Sequence, residues 1–426
     1  MEIQLDNELP VLELTTSYDH SPLAPEVLSL FDEWEEEGRL GFTALPGDME
    51  LLKLSRDLAK GLRRIASHMA VAGIGGSSLG LRALLGAFPA KAEEGSGVTV
   101  LDSPDSGMLG RLMRDLDPES SLLTVITKSG GTAETMAIFL SLYRWISSAS
   151  GGPDRITAVT DPEKGDLRRL VSDLGLNSLP VPPNVGGRFS VMSPVGIFPA
   201  AFAGMDVKAL LDGADLILRD FRRNGAESLA ARTAAAFLSN FSSHPVHAFF
   251  CYDDRLYATG LWFAQLWAES LGKKLDLSGD EVHTGQTPLA CRGPADQHSL
   301  VQLFMEGPMD KTVTIVTTPA SGEGPVIPSG FFDYPSMDYL KGLTPDRLRV
   351  EEAAATGRAL EERGLPVSYL KLRAMDEPSL GALMMTLEIA TVLAGLSLGI
   401  DPLDQPGVER GKVLTYRALG RPGYAD

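Results

Sequence analysis

The sequence predicts an α/β protein of two lobes, each a mostly parallel sheet flanked by helices. Three observations predict it. From Met69 onward short apolar runs alternate with amphipathic stretches, which is the sequence form of parallel strands covered on both faces. The alternation is interrupted by a proline- and glycine-rich break and then resumes. A chain of 426 residues, 44% hydrophobic and 22% charged, is long and apolar enough for two buried cores.

The elements follow in order. Residues 1–45, with the acidic run Glu35-Glu36-Glu37, read as a helical extension packed outside the sheets and solvated on one face. The first lobe, 46–192, takes strands at 69–74, 98–101, 122–126 and 156–159, with helical patterns between them. Prolines over 179–183 and the pair Gly186-Gly187 close it. The second lobe, 193–400, opens with helices over 194–242. It then takes strands at 246–252, 313–317 and 367–372 and helices at 257–273, 296–305 and 347–363. Two similar lobes suggest a duplication, although no residue-level repeat is visible. The apolar stretch 380–400 carries Glu388 at its middle and several glycines, which favours a core helix over a membrane span. In the last segment, 401–426, Pro406 suits a first helical turn, with Gln405 at the cap and Lys412 about two turns on.

Bulk composition excludes several classes. A net charge of −18 opposes nucleic acid and, at long range, any anion, so a phosphate-bearing ligand requires cations concentrated locally. Cys251 and Cys291 are the only cysteines and lie among apolar neighbours, which argues against a disulfide framework and for a reducing, cytoplasmic setting. The start Met1–Asp6 has no basic region followed by an apolar run, so no export or organellar address is expected. No paired histidines at metal-ligand spacing occur, and no metal or cofactor is expected.

Chemistry concentrates in two turns. Gly73-Ile74-Gly75-Gly76-Ser77-Ser78-Leu79-Gly80 follows a strand and opens a helix, so its glycines bring backbone amides close to an anion at the helix start. The plainer reading is a tight turn with no ligand. A dinucleotide fingerprint fails because Ser78 stands at the third glycine anchor. A nucleophile elbow matches as Gly76-Ser77-Ser78-Leu79-Gly80, with Ser78 attacking and His298 as base, but that pattern is short and common by chance. The second turn, Thr127-Lys128-Ser129-Gly130-Gly131-Thr132, again precedes a helix. Neighbouring parallel strands would deliver both turns to one carboxyl edge, where open α/β sheets bind ligands. Hydroxyls of Ser77, Thr127, Ser129 and Thr132, with Lys128 and the amides of Gly76, could then share a phosphate. The competing reading is ordinary helix capping by serine and threonine.

These paired turns resemble the sugar isomerase (SIS) domain, and the set of segments from Gly73 to Lys412 resembles the phosphoglucose isomerase family. The resemblance is carried also by Gly186-Gly187-Arg188-Phe189-Ser190-Val191-Met192-Ser193, by Gln265-Leu266-Trp267-Ala268-Glu269-Ser270-Leu271-Gly272-Lys273, by Arg292-Gly293-Pro294-Ala295-Asp296-Gln297-His298-Ser299-Leu300, and by the close Asp401–Lys412. Thr127 replaces a usual serine, Gly131 a common threonine and Leu271 a familiar asparagine. The resemblance implies two SIS lobes of three layers and an aldose–ketose isomerase acting on a hexose 6-phosphate.

It also implies roles. Glu269 is the base that moves a proton between adjacent carbons, sharing a helix face with Gln265, and its carboxylate is expected to be buried beside Trp267. The competing reading is a surface ion pair between Glu269 and Lys273. Arg188, after Gly187, stabilises the enediolate or ties the lobes together. His298 and Lys412 open the sugar ring, and Gln405 joins the substrate-binding set. In the family this histidine reaches the site from the partner subunit, which implies a homodimer. A non-catalytic SIS regulator that binds a sugar phosphate is the alternative.

Overall fold

A computed structural model describes residues 11–89, 97–329 and 334–424; the opening Met1–Asp6 lies outside them. The first sheet contains strands β2 (His68–Ala72), β3 (Gly97–Leu101), β4 (Ser121–Ile126), β5 (Ile156–Thr160) and β6 (Asn177–Pro180), in the order β3-β2-β4-β5-β6. All its pairings are parallel. Side-chain alternation along β2 sorts the two covered faces: Met69 and Val71 enter one core cluster with Leu122, while Ala70 and Ala72 enter another with Leu123 and Phe139.

The second sheet holds β1 (Leu12–Thr16), β7 (Val246–Cys251), β10 (Thr287–Arg292), β11 (Lys311–Thr317) and β12 (Val367–Leu372), in the order β1-β12-β11-β7-β10. It is parallel except for β1, which pairs antiparallel with β12. A small hairpin, β8 (Lys273–Leu275) with β9 (Glu281–Thr284), precedes β10. In both lobes the first parallel strand pairs with the second on one side and the third on the other, so the duplication invisible in the residues is present in the topology.

Strand β10 and the β8–β9 hairpin were not expected, and three further elements differ from the sequence reading. Residues 12–16, expected within a helical extension, form the edge strand β1, whose alternating burial places Leu12 and Leu14 in the core. The proline-rich break begins inside β6, an edge strand whose last residue, Pro180, has no amide to give. The expected helix 296–305 is two short helices, Gly293–Gln297 and Val301–Glu306, separated at His298. Helix Pro194–Phe202 also packs into the first lobe's core, where Val195, Phe198 and Phe202 join Met69 and Val71.

The apolar stretch around Glu388 is helix Glu377–Ser397, and the window long and apolar enough to cross a membrane is buried along its whole length. It packs against helices Val207–Asn224, Leu229–Ser239 and Tyr257–Leu271. Both carboxyl oxygens of Glu388 are buried without a hydrogen-bond partner among the described residues, and burial pushes its pKa well above the usual carboxylate value.

Candidate active site

Because β2 and β4 are adjacent and their outgoing connections run in opposite directions, the two singled-out turns flank the switch point of the first sheet. The first turn is shaped by backbone contact. Gly75 has φ +59°, and a Cβ on Gly76 would meet the Gly187 carbonyl oxygen at 2.3 Å, so only glycine lets this turn press against the backbone carrying Arg188. Ser77 keeps a hydroxyl without a protein partner among the described residues. Neither Ser78, ahead of helix Leu79–Ala87, nor Thr132, ahead of helix Ala133–Ser147, caps its helix with a side-chain hydrogen bond. The capping explanation of these hydroxyls therefore fails, and both helix starts retain donors for an anion. Thr132 instead meets Thr127, hydroxyl to hydroxyl at 3.2 Å, and Ser129 Oγ accepts from the Gly131 amide at 3.1 Å. Lys128 departs from expectation: its amine donates to the carbonyls of Pro183 and Val185, bracing the chain instead of pointing along the turn. Burial lowers its pKa.

Ser78 is 1% exposed and donates to the Gly75 carbonyl at 3.1 Å, so the hydroxyl required of an elbow nucleophile is enclosed and engaged. The hydrolase reading has no support in this geometry.

Glu269 and Gln265 lie one turn apart on helix Tyr257–Leu271, on the face toward the glycine turn. Gln265 Nε2 donates to Glu269 Oε1 at 3.1 Å and stands 3.1 Å from where a Cβ on Gly75 would be. One glutamine amide thus spans from the turn to the carboxylate. Its own Oε1 is buried and has no partner among the described residues, an acceptor in need of a donor. The expected burial of Glu269 is corrected: its side chain is 32% exposed, because Trp267 turns to the opposite, fully buried side of the helix. Nor does Glu269 pair with Lys273. That amine donates to the Glu269 backbone carbonyl at 2.7 Å and the Asp404 carbonyl at 2.8 Å, closing the helix end. Burial, with the nearby Arg188 charge, lowers the Lys273 pKa.

Arg188 is the hub. Its Nε donates to Ser270 Oγ at 2.7 Å, Nη1 to Gln405 Oε1 at 2.8 Å and to Glu269 Oε2 at 3.5 Å, and Nη2 to the carbonyls of Pro402 and Asp404. Burial works against its charge and the carboxylates of Glu269, Asp404 and Asp401 work for it, with a net pKa below arginine's usual value. It ties both lobes and the C-terminal segment together while holding one oxygen of the Glu269 carboxylate. Ser270, Pro402 and Asp404 are parts of this hub that the sequence reading did not single out, and Lys273 was weighed only as an ion-pair partner of Glu269.

Two predicted residues do not join the constellation within one protomer. His298 is exposed at the end of its short helix, with no side-chain hydrogen bond among the described residues. Lys412, 49% exposed on helix Glu409–Ala418, pairs with Glu409 at 2.7 Å. Gln405 stands at the start of the turn Pro406–Val408 as expected, but its side chain serves Arg188 and not the cap. Two clefts of about 710 and 720 Å³ lie elsewhere on the surface and contain none of these residues.

The arrangement combines uncapped helix starts with a carboxylate held at both oxygens, which suits an anionic ligand bearing an exchangeable proton. The family profile described as phosphoglucose isomerase matches residues 59–422. The chain belongs to the phosphoglucose isomerase family. A glucose-6-phosphate isomerase of Rubrobacter xylanophilus is 40% identical over 396 residues, covering 90% of each chain. One from Thermus thermophilus is 39% identical over 94% of this chain and 95% of its own. Among solved structures, a hypothetical protein of Thermus thermophilus superposes with a TM-score of 0.84 at 38% identity, covering 93% of this chain and 97% of that one. A Chlamydia trachomatis glucose-6-phosphate isomerase has a TM-score of 0.72 at 22% identity, over 86% of this chain and 73% of that one, and speaks to the fold alone. Phosphoglucose isomerase membership makes the protein an aldose–ketose isomerase.

Proposed function

We propose that the protein interconverts D-glucose 6-phosphate and D-fructose 6-phosphate through a cis-enediol. The observation that carries the reading is the Gln265 amide, which bridges the glycine turn and the Glu269 carboxylate. A substrate with its phosphate at the first-lobe crevice has its far carbons presented to that carboxylate. Glu269 takes the proton from C2 of the open-chain aldose while O1 gains a proton, giving the enediol; O2 then loses its proton as a proton returns to C1, so the C1 carbonyl becomes a hydroxyl and the C2 hydroxyl a carbonyl. No electron leaves the substrate, and the step requires no cofactor or metal. Arg188, charged within a few ångströms of the base, stabilises negative charge on the enediolate. The unpartnered Gln265 Oε1 accepts from a sugar hydroxyl.

Gly76, Gly187, Ser77, Thr127, Ser129 and Thr132 form the phosphate side; Lys128 supports it by holding the 183–185 backbone. Ring opening falls to Lys412 and His298. The exposure of His298 supports its delivery to the site of a partner subunit in a homodimer. Lys412 reaches the substrate by exchanging Glu409 for the sugar. Two free, buried thiols, Cys251 and Cys291, support a cytoplasmic setting. No nucleic-acid or membrane partner is part of this reading.

A coupled assay for glucose 6-phosphate formed from fructose 6-phosphate, run beside calorimetry of sugar-phosphate binding, tests it. Turnover with binding is expected. Binding without turnover would favour the sugar-phosphate regulator.

A further inference from the structure

The geometry points to a further phosphate-binding residue, Arg421, delivered by the C-terminal segment to the turn Thr127–Thr132; this rests on the isomerase reading of that turn. Lys128 is the turn's own cation, and its amine is spent on the carbonyls of Pro183 and Val185. What remains there is neutral: hydroxyls and amides. For a phosphate dianion approaching a chain of net charge −18, neutral donors leave the local field unfavourable.

Helix Glu409–Ala418 and the turn after it bring a second cation to the same place. Tyr416 donates its phenol to the Gly131 carbonyl at 2.7 Å, and Arg421 Nη1 reaches the same oxygen at 3.4 Å. The guanidinium lies 4.3 Å from the Tyr416 ring centroid and 5.4 Å from that of Tyr424. Backbone bonds from Arg421 N to the Tyr416 carbonyl and from Tyr424 N to the Arg421 carbonyl fix the turn. Packed against the edge-to-face pair of Tyr416 and Tyr424, whose centroids are 5.0 Å apart, the side chain is already ordered, so less entropy is lost when it binds. Among the described residues no carboxylate forms an ion pair with it.

Position 131 explains the access. A Cβ on Gly131 would stand 4.0 Å from Arg421 Nη2, so a threonine's branches would occupy the space beside the guanidinium. With glycine there, the planar fork faces the turn directly and can give a phosphate two parallel hydrogen bonds. The same C-terminal segment holds Arg188 through Pro402, Asp404 and Gln405, so one element serves both ends of the substrate.

The test compares Arg421→Ala and Arg421→Lys with the wild type, by steady-state kinetics on fructose 6-phosphate and by inhibition with inorganic phosphate and with uncharged sorbitol. R421A is expected to raise KM and the phosphate inhibition constant about tenfold or more, leaving kcat within about threefold and sorbitol inhibition unchanged. R421K should fall between the two, retaining charge without the fork. Unchanged KM and phosphate inhibition would overturn the inference. So would parallel losses in kcat, sorbitol inhibition and thermal midpoint, which mark a structural clamp on the turn. If the wild type shows no turnover, the isomerase reading fails by itself, and calorimetry of inorganic phosphate on wild type and R421A still decides the role of Arg421.

Discussion

In the first lobe, the turns after β2 and β4 leave helix starts uncapped and the Ser77 hydroxyl unengaged. In the second, the turns after β7 and β11 occupy the equivalent switch point, and there the side chains meet each other. Thr318 donates to Asp253 Oδ2 at 2.6 Å, Arg255 binds both oxygens of the same carboxylate at 2.9 and 2.7 Å, and Arg349 lies 3.9 Å away. Burial pushes the Asp253 pKa up, but hydrogen bonds from Arg255 and Thr318 and the charges of both arginines bring it below the usual value. One crevice thus carries its own anion and the other is open to an external one. The same topology yields a site or a strut according to whether glycine and hydroxyl residues or a buried aspartate, Asp253, follows the first strand.

The largest effect that sharpens this comparison lies at the open crevice. Glu269→Gln should lower kcat by about 10²- to 10⁴-fold. Inorganic phosphate affinity and thermal midpoint should stay near wild type, as calorimetry and circular dichroism would check. At the closed crevice the pattern inverts. Asp253→Ala strands Arg349 and Arg255, and because Arg255 is more than a third exposed the expected loss is about 2–3 kcal/mol of stability, with KM unchanged. Denaturant titration of the two variants measures the contrast, and a rise in KM without loss of stability in Asp253→Ala would break it. Ser129→Ala with Thr132→Val should raise KM about tenfold or more with stability nearly unchanged.

A smaller, pH-dependent effect belongs to neither crevice. Glu388 keeps its proton in the fold at pH values where an unfolded chain has lost it, so the folded state binds more protons above about pH 4.5 and stability falls as pH rises. Glu388→Gln removes that dependence. Its advantage over wild type should grow as pH rises above about 4.5, read as a widening gap in denaturant midpoint. A constant gap would place a charged Glu388 in the fold.

Much of this was legible in the residues. The central strands were visible because covering on both faces makes them continuous apolar runs, as at β4, where every residue is buried. Three of the four edge strands were not: β1 has one buried face, β6 ends in proline, and β10 contains Pro288. The glycine turns and the Gln265–Glu269 spacing were readable because local geometry fixes them. The hub around Arg188 was not, since its partners at Pro402, Asp404 and Gln405 are more than 200 positions away and two of them are backbone carbonyls. The expected burial of Glu269 failed for a related reason. Helical periodicity gave its face, but the openness of that face depends on how two lobes and a C-terminal segment meet.

The most direct measurement is solvent deuterium at C2 of the glucose 6-phosphate formed from fructose 6-phosphate in D₂O, for wild type and Glu269→Gln. Transfer through an exchangeable carboxyl predicts deuterium at C2 in the wild-type product and loss of both conversion and exchange in the variant, with phosphate still bound. A wild-type product without deuterium, or a variant that exchanges at the wild-type rate, would contradict the placement of Glu269 as the proton-carrying group beside the open crevice.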